Sequence, residues 1–324
     1  MRALVWTGPH EAVLREEKVP NPAPGEVVLA VRAVGVCGSD LHGYRGHSSL
    51  RIPPLVLGHE VVGQDATGDT YVVNPLVGCA SCRLCLAGLP NLCPRRGLLG
   101  LDRPGGFAEY VKVPRQNLSP LPEGMSPLLG TLVEPLATPV NALRGAGLDA
   151  NSVVAVVGCG PIGLLACYAA KRAGARLVAC YDINAGRASH ADALADVTGS
   201  SAEEITPALL DATGSLGADV VIDAVGVEAT WTAALSLVRP GGTVCEIGLG
   251  QASGQVPVGQ MVRTGITWRG VYAYTPADFG RALEMLADDP PPLDWTKTAA
   301  LEDGPELLER LARGKGPVKA VFVL

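Results

Sequence analysis

The stretch that decides the fold is an apolar run followed by a glycine cluster, Val153-Val154-Ala155-Val156-Val157-Gly158-Cys159-Gly160-Pro161-Ile162-Gly163. Its first five residues are continuously apolar, which is typical of a strand buried on both faces. Its last six fit the pattern G-x-G-x-x-G, and a helical stretch follows over residues 162–173. In this context the glycines allow a helix N-terminus to approach a pyrophosphate closely. The residues predicted to bind a dinucleotide are therefore Gly158, Gly160, Pro161, Ile162 and Gly163.

An acidic residue closes the next apolar run. That run, Leu177-Val178-Ala179-Cys180-Tyr181, ends at Asp182, which lies 19 residues beyond Gly163. A carboxylate in this position would accept hydrogen bonds from both hydroxyls of the adenosine ribose and would repel a 2′-phosphate, so NAD is favoured over NADP. Two other interpretations remain open at this point: a Rossmann-like sheet that binds no cofactor, and an aspartate that only caps a turn.

The alternation of apolar runs and helices continues after this turn but is missing before it. Further apolar runs stand at Val220-Val221-Ile222 and at Thr243-Val244-Cys245-Glu246-Ile247, which predicts βαβ units and a parallel sheet. Residues 1–140 instead show short strand candidates, such as residues 27–34, separated by turns rich in proline and glycine. Because the chain has 324 residues, two domains of roughly 150 residues each are expected.

Composition excludes several classes of protein. The 26 Lys and Arg residues against 32 Asp and Glu residues give a net charge of −6, which argues against binding to a nucleic-acid backbone. Apolar residues make up 48% of the chain, so disorder is not expected. No run of 18 apolar residues predicts a membrane span, and no signal peptide is recognisable. We therefore expect a cytoplasmic protein whose nine cysteines are thiols or metal ligands.

Four of the cysteines form a compact cluster with the spacing C-x2-C-x2-C-x7-C, namely Cys79, Cys82, Cys85 and Cys93. Thiolates this close in sequence can converge on one tetrahedral zinc ion. The alternatives are four unrelated buried thiols and an iron–sulfur cluster, whose ligands are also thiolates. Since four sulfur ligands leave no open position, a zinc ion here would brace a loop rather than catalyse.

Other potential metal ligands are scattered outside that cluster. They lie in the segments Cys37-Gly38-Ser39-Asp40-Leu41-His42, Gly58-His59-Glu60 and Glu134-Pro135-Leu136-Ala137. The thiol of Cys37, the imidazole of His59 and the carboxyls of Glu60 and Glu134 can all bind zinc. Taken singly, each has a plain alternative as a core cysteine, a hydrogen-bonded histidine or a helix-end acid. Spacing alone does not assemble them.

Together these motifs resemble the zinc-containing medium-chain alcohol dehydrogenase family over nearly the whole chain, in the family's order and with Gly105-Gly106-Phe107-Ala108-Glu109-Tyr110 among them. The resemblance implies an α/β protein with a GroES-like, mostly-β catalytic domain made of residues 1–142 and 276–324. That domain would carry the structural zinc lobe at residues 78–95. A Rossmann domain for NAD, a doubly wound parallel sheet at residues 143–275, would be inserted between the two catalytic segments.

At position 134 the chain resembles the branch of polyol (sorbitol, glucose, butanediol) and threonine dehydrogenases. Simple alcohol dehydrogenases usually carry a cysteine at this position, whereas this chain has a glutamate. Two features depart from that branch. The segment at residues 64–70 is shorter than the corresponding segment of that family, which indicates a trimmed hairpin beside the cleft. Gly43 stands where sorbitol dehydrogenases tend to have tyrosine, whereas Tyr44 fits the threonine and butanediol pattern better.

The resemblance also implies roles for individual residues. Cys37 and His59 would hold a catalytic zinc ion, with Glu60 or Glu134 as the third protein ligand. Because two carboxylates and one thiolate would make the zinc site negative, one glutamate at a time is expected to bind. Ser39 would take the proton from the alcohol, His42 would pass it to solvent, and Asp40 would orient His59. The implied cofactor contacts are Arg187, Leu249 and Val271, although Arg187 and His42 could also be ordinary surface residues.

The function expected from the resemblance is zinc-dependent transfer of a hydride from a secondary alcohol, such as a polyol, diol or amino alcohol, to NAD, which gives a ketone. Two zinc ions per chain are expected, one catalytic and one structural. The alternatives are a threonine 3-dehydrogenase, a biosynthetic cyclitol or amino-sugar dehydrogenase and, from another class, an NAD-binding sensor without catalysis. The expected partner is a small-molecule alcohol, with no nucleic acid or membrane, and the family implies a homodimer or homotetramer.

Overall fold

The computed structural model describes all 324 residues, and the chain divides into two compact units. The first unit comprises Met1–Pro135 and Thr275–Leu324, and the second comprises Leu136–Tyr274. The first divide falls at Pro135, inside a helix, whereas the sequence analysis placed the boundary after residue 142. The second unit is therefore inserted between two segments of the first.

The elements are distributed unevenly between the units: short strands dominate the first, and strands alternate with helices in the second. The strands are β1 Arg2–Gly8, β2 Glu11–Glu16, β3 Glu26–Gly35, β4 Leu55–Val56, β5 Glu60–Gln64, β6 Thr70–Val73, β7 Leu76–Val77, β8 Gly97–Leu98, β9 Tyr110–Pro114, β10 Leu118–Pro120, β11 Val153–Val157, β12 Leu177–Tyr181, β13 Val197–Gly199, β14 Ala218–Asp223, β15 Val238–Glu246, β16 Thr267–Gly270, β17 Thr296–Ala299 and β18 Lys319–Val323. The α-helices are α1 Gly38–Tyr44, α2 Arg83–Leu86, α3 Pro127–Gly130, α4 Val133–Ala146, α5 Pro161–Arg172, α6 Ala185–Ala188, α7 Ala202–Thr213, α8 Glu228–Leu237, α9 Val258–Thr264, α10 Pro276–Asp288 and α11 Gly304–Ala312.

The first unit is built around the ten-residue strand β3. In the main sheet the strands follow the order β10-β6-β5-β3-β18-β17, and β9 also pairs with β3. A smaller sheet has the order β2-β1-β4. Phe107 and Phe322 meet edge to face in the core with ring centroids 5.1 Å apart. Since β18 comes from the C-terminal segment, the two segments of this unit share one sheet and one core.

The segment between β5 and β6, which the sequence analysis marked as short, is a tight hairpin. Gln64 pairs with Thr70, and the five residues between them close on themselves. The amide of Asp65 donates to the carbonyl of Asp69 over 2.9 Å, and the amide of Thr67 donates to the Asp65 carboxylate over 2.9 Å. Gly68 adopts a φ of +94°, which favours glycine. The shortened segment thus forms a complete local turn.

The second unit is a six-stranded parallel sheet with the order β13-β12-β11-β14-β15-β16. Counted from the first strand of the unit, this is the order 3-2-1-4-5-6 of the doubly wound Rossmann fold. All five residues of β11 are buried, as the continuous apolar run predicted. No helix in the chain combines the length and the apolar character that a bilayer crossing requires.

Candidate metal and dinucleotide sites

Three residues of the first unit present metal-ligating atoms to one another. The ligand atoms of Cys37, His59 and Glu60 all lie within 4.8 Å of one another, and two of the three residues are fully buried. Glu134 is half-buried in the first turn of α4 and does not belong to this group. Of the two glutamates between which the sequence analysis could not choose, the structure therefore brings Glu60 to the thiol and the imidazole.

Strand pairing accounts for this convergence. Cys37 directly precedes α1, shortly after β3 ends, and Glu60 opens β5 in register with Gly35 at the end of β3. A Cβ atom on Gly35 would lie 1.8 Å from Oε2 of Glu60, so only glycine leaves room for that carboxylate. Gly58 adopts a φ of +90°, and a Cβ there would lie 2.3 Å from the ring of Phe107. The two glycines allow His59 and Glu60 to enter the site from a tight turn.

A lysine that the sequence analysis did not single out lies against Glu60. Nζ of Lys319 is ion-paired with Oε2 of Glu60, and both side chains are 1% exposed. Lys319 also donates a hydrogen bond to the carbonyl of Val36 over 3.1 Å. The only sign of it in the sequence is one lysine at the start of the otherwise apolar terminal strand, 259 residues from Glu60.

The remaining oxygen of Glu60 is a test of whether a metal ion fits. Oε1 of Glu60 is buried and accepts no hydrogen bond from the protein. Burying a carboxylate oxygen without a partner is costly, unless a ligand or an ion supplies one. Because a thiol and an imidazole lie within 4.8 Å of this carboxylate, the donor set of one sulfur, one nitrogen and one oxygen fits zinc.

Asp40 stands behind His59. Its Oδ1 lies 3.3 Å from Nδ1 of His59, although the ring N–H does not point well enough to form a hydrogen bond. Burial is the largest single influence and opposes a charge on the imidazole, but the negative charges of Asp40 and Cys37 together outweigh it and raise the pKa of His59 well above its ordinary value. Asp40 itself is held by the amide of Cys37, which donates to Oδ2 over 3.0 Å. The Asp40 carboxylate therefore contacts two prospective zinc ligands, the backbone of Cys37 and the ring of His59.

Ser39 and His42 lie on α1, but no hydrogen bond joins them in this structure. The Ser39 hydroxyl is half-buried and accepts a hydrogen bond from Nη2 of Arg51 over 3.4 Å. The His42 ring is half-buried and lies 6.3 Å from the ring of His47, measured between centroids. Partial burial, followed by the charge of Arg45, lowers the pKa of His42. A relay through both residues would need a further group between them.

The four cysteines of the lobe also converge. The sulfur atoms of Cys79, Cys82, Cys85 and Cys93 lie within 4.8 Å of one another. Arg95 donates from Nη2 to the sulfur of Cys79 over 3.2 Å, and its amide donates to the sulfur of Cys93 over 3.3 Å. A hydrogen bond from the Ser81 backbone is the largest of several that lower the pKa of Cys79 to about 5. Four converging sulfurs with donors aimed at them fit a tetrahedral thiolate site for zinc.

The glycine turn of the second unit has the shape that a pyrophosphate requires. A Cβ on Gly163 would lie 1.7 Å from the carbonyl oxygen of Gly158, so these two residues pack backbone on backbone. A Cβ on Gly160 would meet no atom within 4 Å, so this glycine faces open space. Helix α5 begins directly after it, at Pro161. The open space at a helix N-terminus fits the phosphates of a dinucleotide.

The other predicted cofactor residues surround β12 and the carboxyl end of the sheet. Asp182 is buried and accepts hydrogen bonds from the amides of Cys159 (2.9 Å) and Asn184 (2.8 Å). Arg187 is exposed in α6, and the side chain of Leu249 is 76% exposed. Val271 is buried, and its amide donates to the carbonyl of Glu246 over 2.8 Å. Asp182 thus ties the glycine turn to β12, which also fits the alternative of an aspartate that caps a turn.

The class of protein follows from comparison with known families. Residues 161–288 match the zinc-binding dehydrogenase family model, and residues 23–123 match the GroES-like domain of alcohol dehydrogenases. The chain belongs to the zinc-containing medium-chain dehydrogenases, as its motifs predicted, and it is an oxidoreductase that uses zinc and a nicotinamide cofactor. It combines a GroES-like domain with a Rossmann domain.

Individual relatives cover nearly the whole chain. L-galactonate-5-dehydrogenase of Escherichia coli K12 is 32% identical over 300 residues, which are 89% of this chain and 88% of that protein. Probable D-xylulose reductase A of Emericella nidulans is 30% identical over 97% of this chain and 94% of its own length.

Solved structures agree with this assignment. Alcohol dehydrogenase TADH from Thermus sp. ATN1 is 30% identical, with a TM-score of 0.91 over 100% of this chain and 99% of that one. A zinc-binding dehydrogenase from Sinorhizobium meliloti 1021, solved with NADP, is 29% identical with a TM-score of 0.89 over the same shares of the two chains.

Proposed function

We propose that this enzyme oxidises a secondary alcohol group of a polyol or a sugar-derived substrate to a ketone, with a zinc ion held by Cys37, His59 and Glu60. The observation that carries the proposal is the convergence of these three side chains within 4.8 Å. Two relatives are named for polyhydroxylated substrates: L-galactonate-5-dehydrogenase for a sugar acid and D-xylulose reductase A for a ketopentose. These names support a polyhydroxylated substrate for this enzyme as well. A threonine 3-dehydrogenase and a cyclitol or amino-sugar dehydrogenase are the alternatives within the same chemistry.

When bound, the zinc ion would acidify the alcohol and the nicotinamide would accept the hydride. The chain's own residues prepare the site for this chemistry. Cys37, His59 and Glu60 would supply three protein ligands, which is the number that catalytic zinc sites use. Asp40, 3.3 Å from the His59 ring, orients the imidazole from behind. Ser39 would receive the substrate proton, and His42 would release it to solvent as the outer group.

The choice of Glu60 over Glu134 as the third ligand rests on both position and charge. Glu60 alone lies beside the thiol and the imidazole, and its Oε1 is buried without a partner. Lys319 carries a positive charge against the other oxygen of Glu60. A zinc ion, one thiolate and the Glu60 carboxylate would be neutral together, and the charge of Lys319 would balance that of Asp40 behind His59. A second carboxylate, from Glu134, would make the site negative and oppose loss of the alcohol proton.

NAD is the cofactor that we propose in preference to NADP. The carboxylate of Asp182 lies directly after β12. It accepts a hydrogen bond from the amide of Asn184, two residues further on. A second negative charge on a ribose 2′-phosphate would lie near this buried acid and would be repelled. The exposed guanidinium of Arg187 lies five residues further on and can contact the adenosine ribose. Leu249 and Val271 are proposed to approach the nicotinamide.

Further proposals concern stoichiometry, assembly and location. The four-cysteine lobe would hold a second, structural zinc ion, since its four sulfurs fill a tetrahedral site. A homodimer or homotetramer remains the expected assembly, with the lobe and the edge strand β16 as candidate contacts. The cytoplasm remains the expected location.

A substrate screen with metal analysis tests the proposal. Purified protein is supplied with zinc and NAD and offered secondary alcohols, alditols, sugar acids and threonine, and NADH formation is followed. We expect turnover on polyhydroxylated substrates, and Cys37→Ser should abolish it while NADH still binds. Retained turnover in Cys37→Ser would refute the metal mechanism. NADH binding without turnover on any alcohol would instead support a non-catalytic sensor.

A further inference from the structure

Arg51 is a buried arginine close to Cys37, His59 and Glu60, the three residues that we name the metal group. No part of the proposed mechanism uses this arginine. It lies in the segment between α1 and β4 and is 6% exposed, whereas its neighbours Leu50 and Ile52 are largely exposed. An arginine is almost never fully buried without a partner, because its charge cannot be lost by deprotonation. Its place in the site therefore calls for an anion or strong acceptors.

The contacts of Arg51 leave its charge poorly compensated. Nε donates to the carbonyl of Gly100 over 2.9 Å, and Nη2 donates to the Ser39 hydroxyl over 3.4 Å. Its nearest acid is Asp40, whose Oδ1 lies 3.6 Å from Nη2. That same oxygen lies 3.3 Å from the His59 ring and accepts a hydrogen bond from the amide of Gly58. One oxygen thus lies close to three nitrogen atoms, of which only the Gly58 amide donates a hydrogen bond to it, and Arg51 is the most distant of the three.

Gly43 makes room for this guanidinium. A Cβ atom on Gly43 would lie 2.4 Å from Cδ and 3.0 Å from Nε of Arg51. Any other residue at position 43 would therefore push the arginine away from Ser39. Tyr44, the neighbouring residue, is buried and donates its hydroxyl to the carbonyl of His10 over 3.0 Å. The space beside Ser39 is consequently occupied by a cation rather than by a tyrosine from position 43.

With a divalent ion bound, the neighbourhood would be positive in a protein whose net charge is −6. The ion together with Arg51 and Lys319 would carry four positive charges. The Cys37 thiolate that binds the ion, Asp40 and Glu60 would carry three negative charges against them. The loaded site would therefore have one uncompensated positive charge, before the half-buried Arg45 nearby is counted.

We propose that Arg51 binds an anionic group of the substrate, so that the preferred substrate is a hydroxy acid of the sugar-acid type, with its carboxylate beside the alcohol that faces Ser39. This inference rests on the proposed function, because it assumes that an alcohol is oxidised at the metal group. A guanidinium donates strong, charge-assisted hydrogen bonds to a carboxylate. Nη1, which makes none of the hydrogen bonds described, has two N–H groups to offer.

Matched pairs of substrates test the proposal directly. Each pair consists of a sugar acid and the neutral alditol of the same configuration, and kcat/KM is measured for both with zinc and NAD present. We expect the wild-type enzyme to favour the acid. Arg51→Gln should reduce the ratio of acid to alditol by about tenfold or more, the typical range for a hydrogen bond to a charged group. Arg51→Lys should retain part of the preference.

A binding measurement avoids any dependence on turnover. The dissociation constant of the sugar acid is measured calorimetrically with the enzyme–NADH complex, in which the alcohol cannot be oxidised. Arg51→Gln should weaken this binding by about tenfold as well. Arg45→Gln is the matched control, because Arg45 donates to the carbonyl of Ala312 and not to Ser39. It removes the same charge nearby and should change the ratio far less.

Three results would overturn the inference. Equal losses on acid and alditol in Arg51→Gln would make Arg51 a positioning residue for Ser39 only. A weaker affinity for NADH with an unchanged substrate ratio would assign the anion to the cofactor's pyrophosphate. A wild-type preference for alditols would overturn it even if Arg51→Gln failed to fold. In each case alcohols are still oxidised, so the proposed function stands, whereas no turnover on either class would refute both.

Discussion

Lys319 and Glu60 form a buried ion pair across strand β3, with Glu60 on β5 at one side and Lys319 on β18 at the other. Both side chains are 1% exposed, so each charge depends on the other. The pair changes the electrostatics of the metal group, since a carboxylate already paired with a lysine can ligate a cation without making the site negative. The positive charge of Lys319 also limits how strongly Glu60 can donate to the metal.

Removal of Lys319 should destabilise the first unit and alter metal binding. Lys319→Met leaves the Glu60 carboxylate uncompensated, and breaking a buried pair in this way costs about 3–5 kcal/mol. Thermal and denaturant unfolding of the zinc-free protein measure that loss. Lys297→Met is the control, because Lys297 is exposed on the adjacent strand β17. The double variant Lys319→Met/Glu60→Gln should recover part of the lost stability, and failure to do so would argue against a coupled pair.

The two predicted zinc sites should be separable by substitution. The wild-type chain should hold two zinc ions, and Cys37→Ser and Cys85→Ser should each hold one, because each removes a ligand from a different group. Cys37→Ser should lose turnover and keep most of its thermal stability. Cys85→Ser should lose stability, since a four-thiolate site holds its segment together. Elemental analysis and calorimetry measure both effects, and iron with visible absorption in the lobe would contradict the zinc assignment.

Asp182 should control the choice between NAD and NADP. Asp182→Asn removes the negative charge but keeps an oxygen that can accept from the amide of Cys159 or Asn184. The ratio of kcat/KM for NAD to that for NADP should fall by about tenfold, which corresponds to 1.4 kcal/mol. Asp192→Asn is a suitable control, because it removes the same charge from an exposed aspartate outside the predicted cofactor residues. Asp192 accepts a hydrogen bond from the hydroxyl of Thr198. An unchanged ratio in Asp182→Asn would remove Asp182 from the cofactor site.

Glu246 should make the second unit less stable as the pH rises from the acidic range to about 8. Neither of its carboxyl oxygens, both buried, has a hydrogen-bond partner. Burial and then the charge of Asp223, on the adjacent strand, raise the pKa of Glu246 from 4.5 to about 8, against a smaller opposing effect of Trp231. The unfolded chain releases this proton earlier, so stability is lost as the pH rises from 4.5 to about 8.

Glu246→Gln removes the ionisable group and should abolish that loss. The variant should be more stable than the wild type at pH 9 by about 2 kcal/mol, a figure reduced from the full shift because the residue is partly exposed. At pH 5 the two proteins should differ little. Denaturant unfolding at both pH values measures the effect, with exposed Glu228→Gln as the control. An equal difference at both pH values would exclude ionisation as the cause.

Much of the fold and of the cofactor site could be predicted from local sequence. The order of the second unit follows from apolar runs that alternate with helices, and the glycine turn lies where its pattern predicted it. The four cysteines span only 15 residues, from Cys79 to Cys93, so almost any fold of that lobe brings their sulfurs together. Such features depend on residues close in sequence, and short segments have few alternative conformations.

The metal group depended on tertiary structure. Cys37 and Glu60 meet because β3 pairs with β5, and Lys319 reaches Glu60 because β18 pairs with the other side of β3. The preference for Glu60 over Glu134 and the placement of Arg51 beside Ser39 likewise depend on contacts between distant segments. Sequence spacing contains no information on which strands become neighbours, since that is decided by burial of the whole apolar core. The sequence alone therefore determined which ligands are present, and the three-dimensional packing decided which of them share a site.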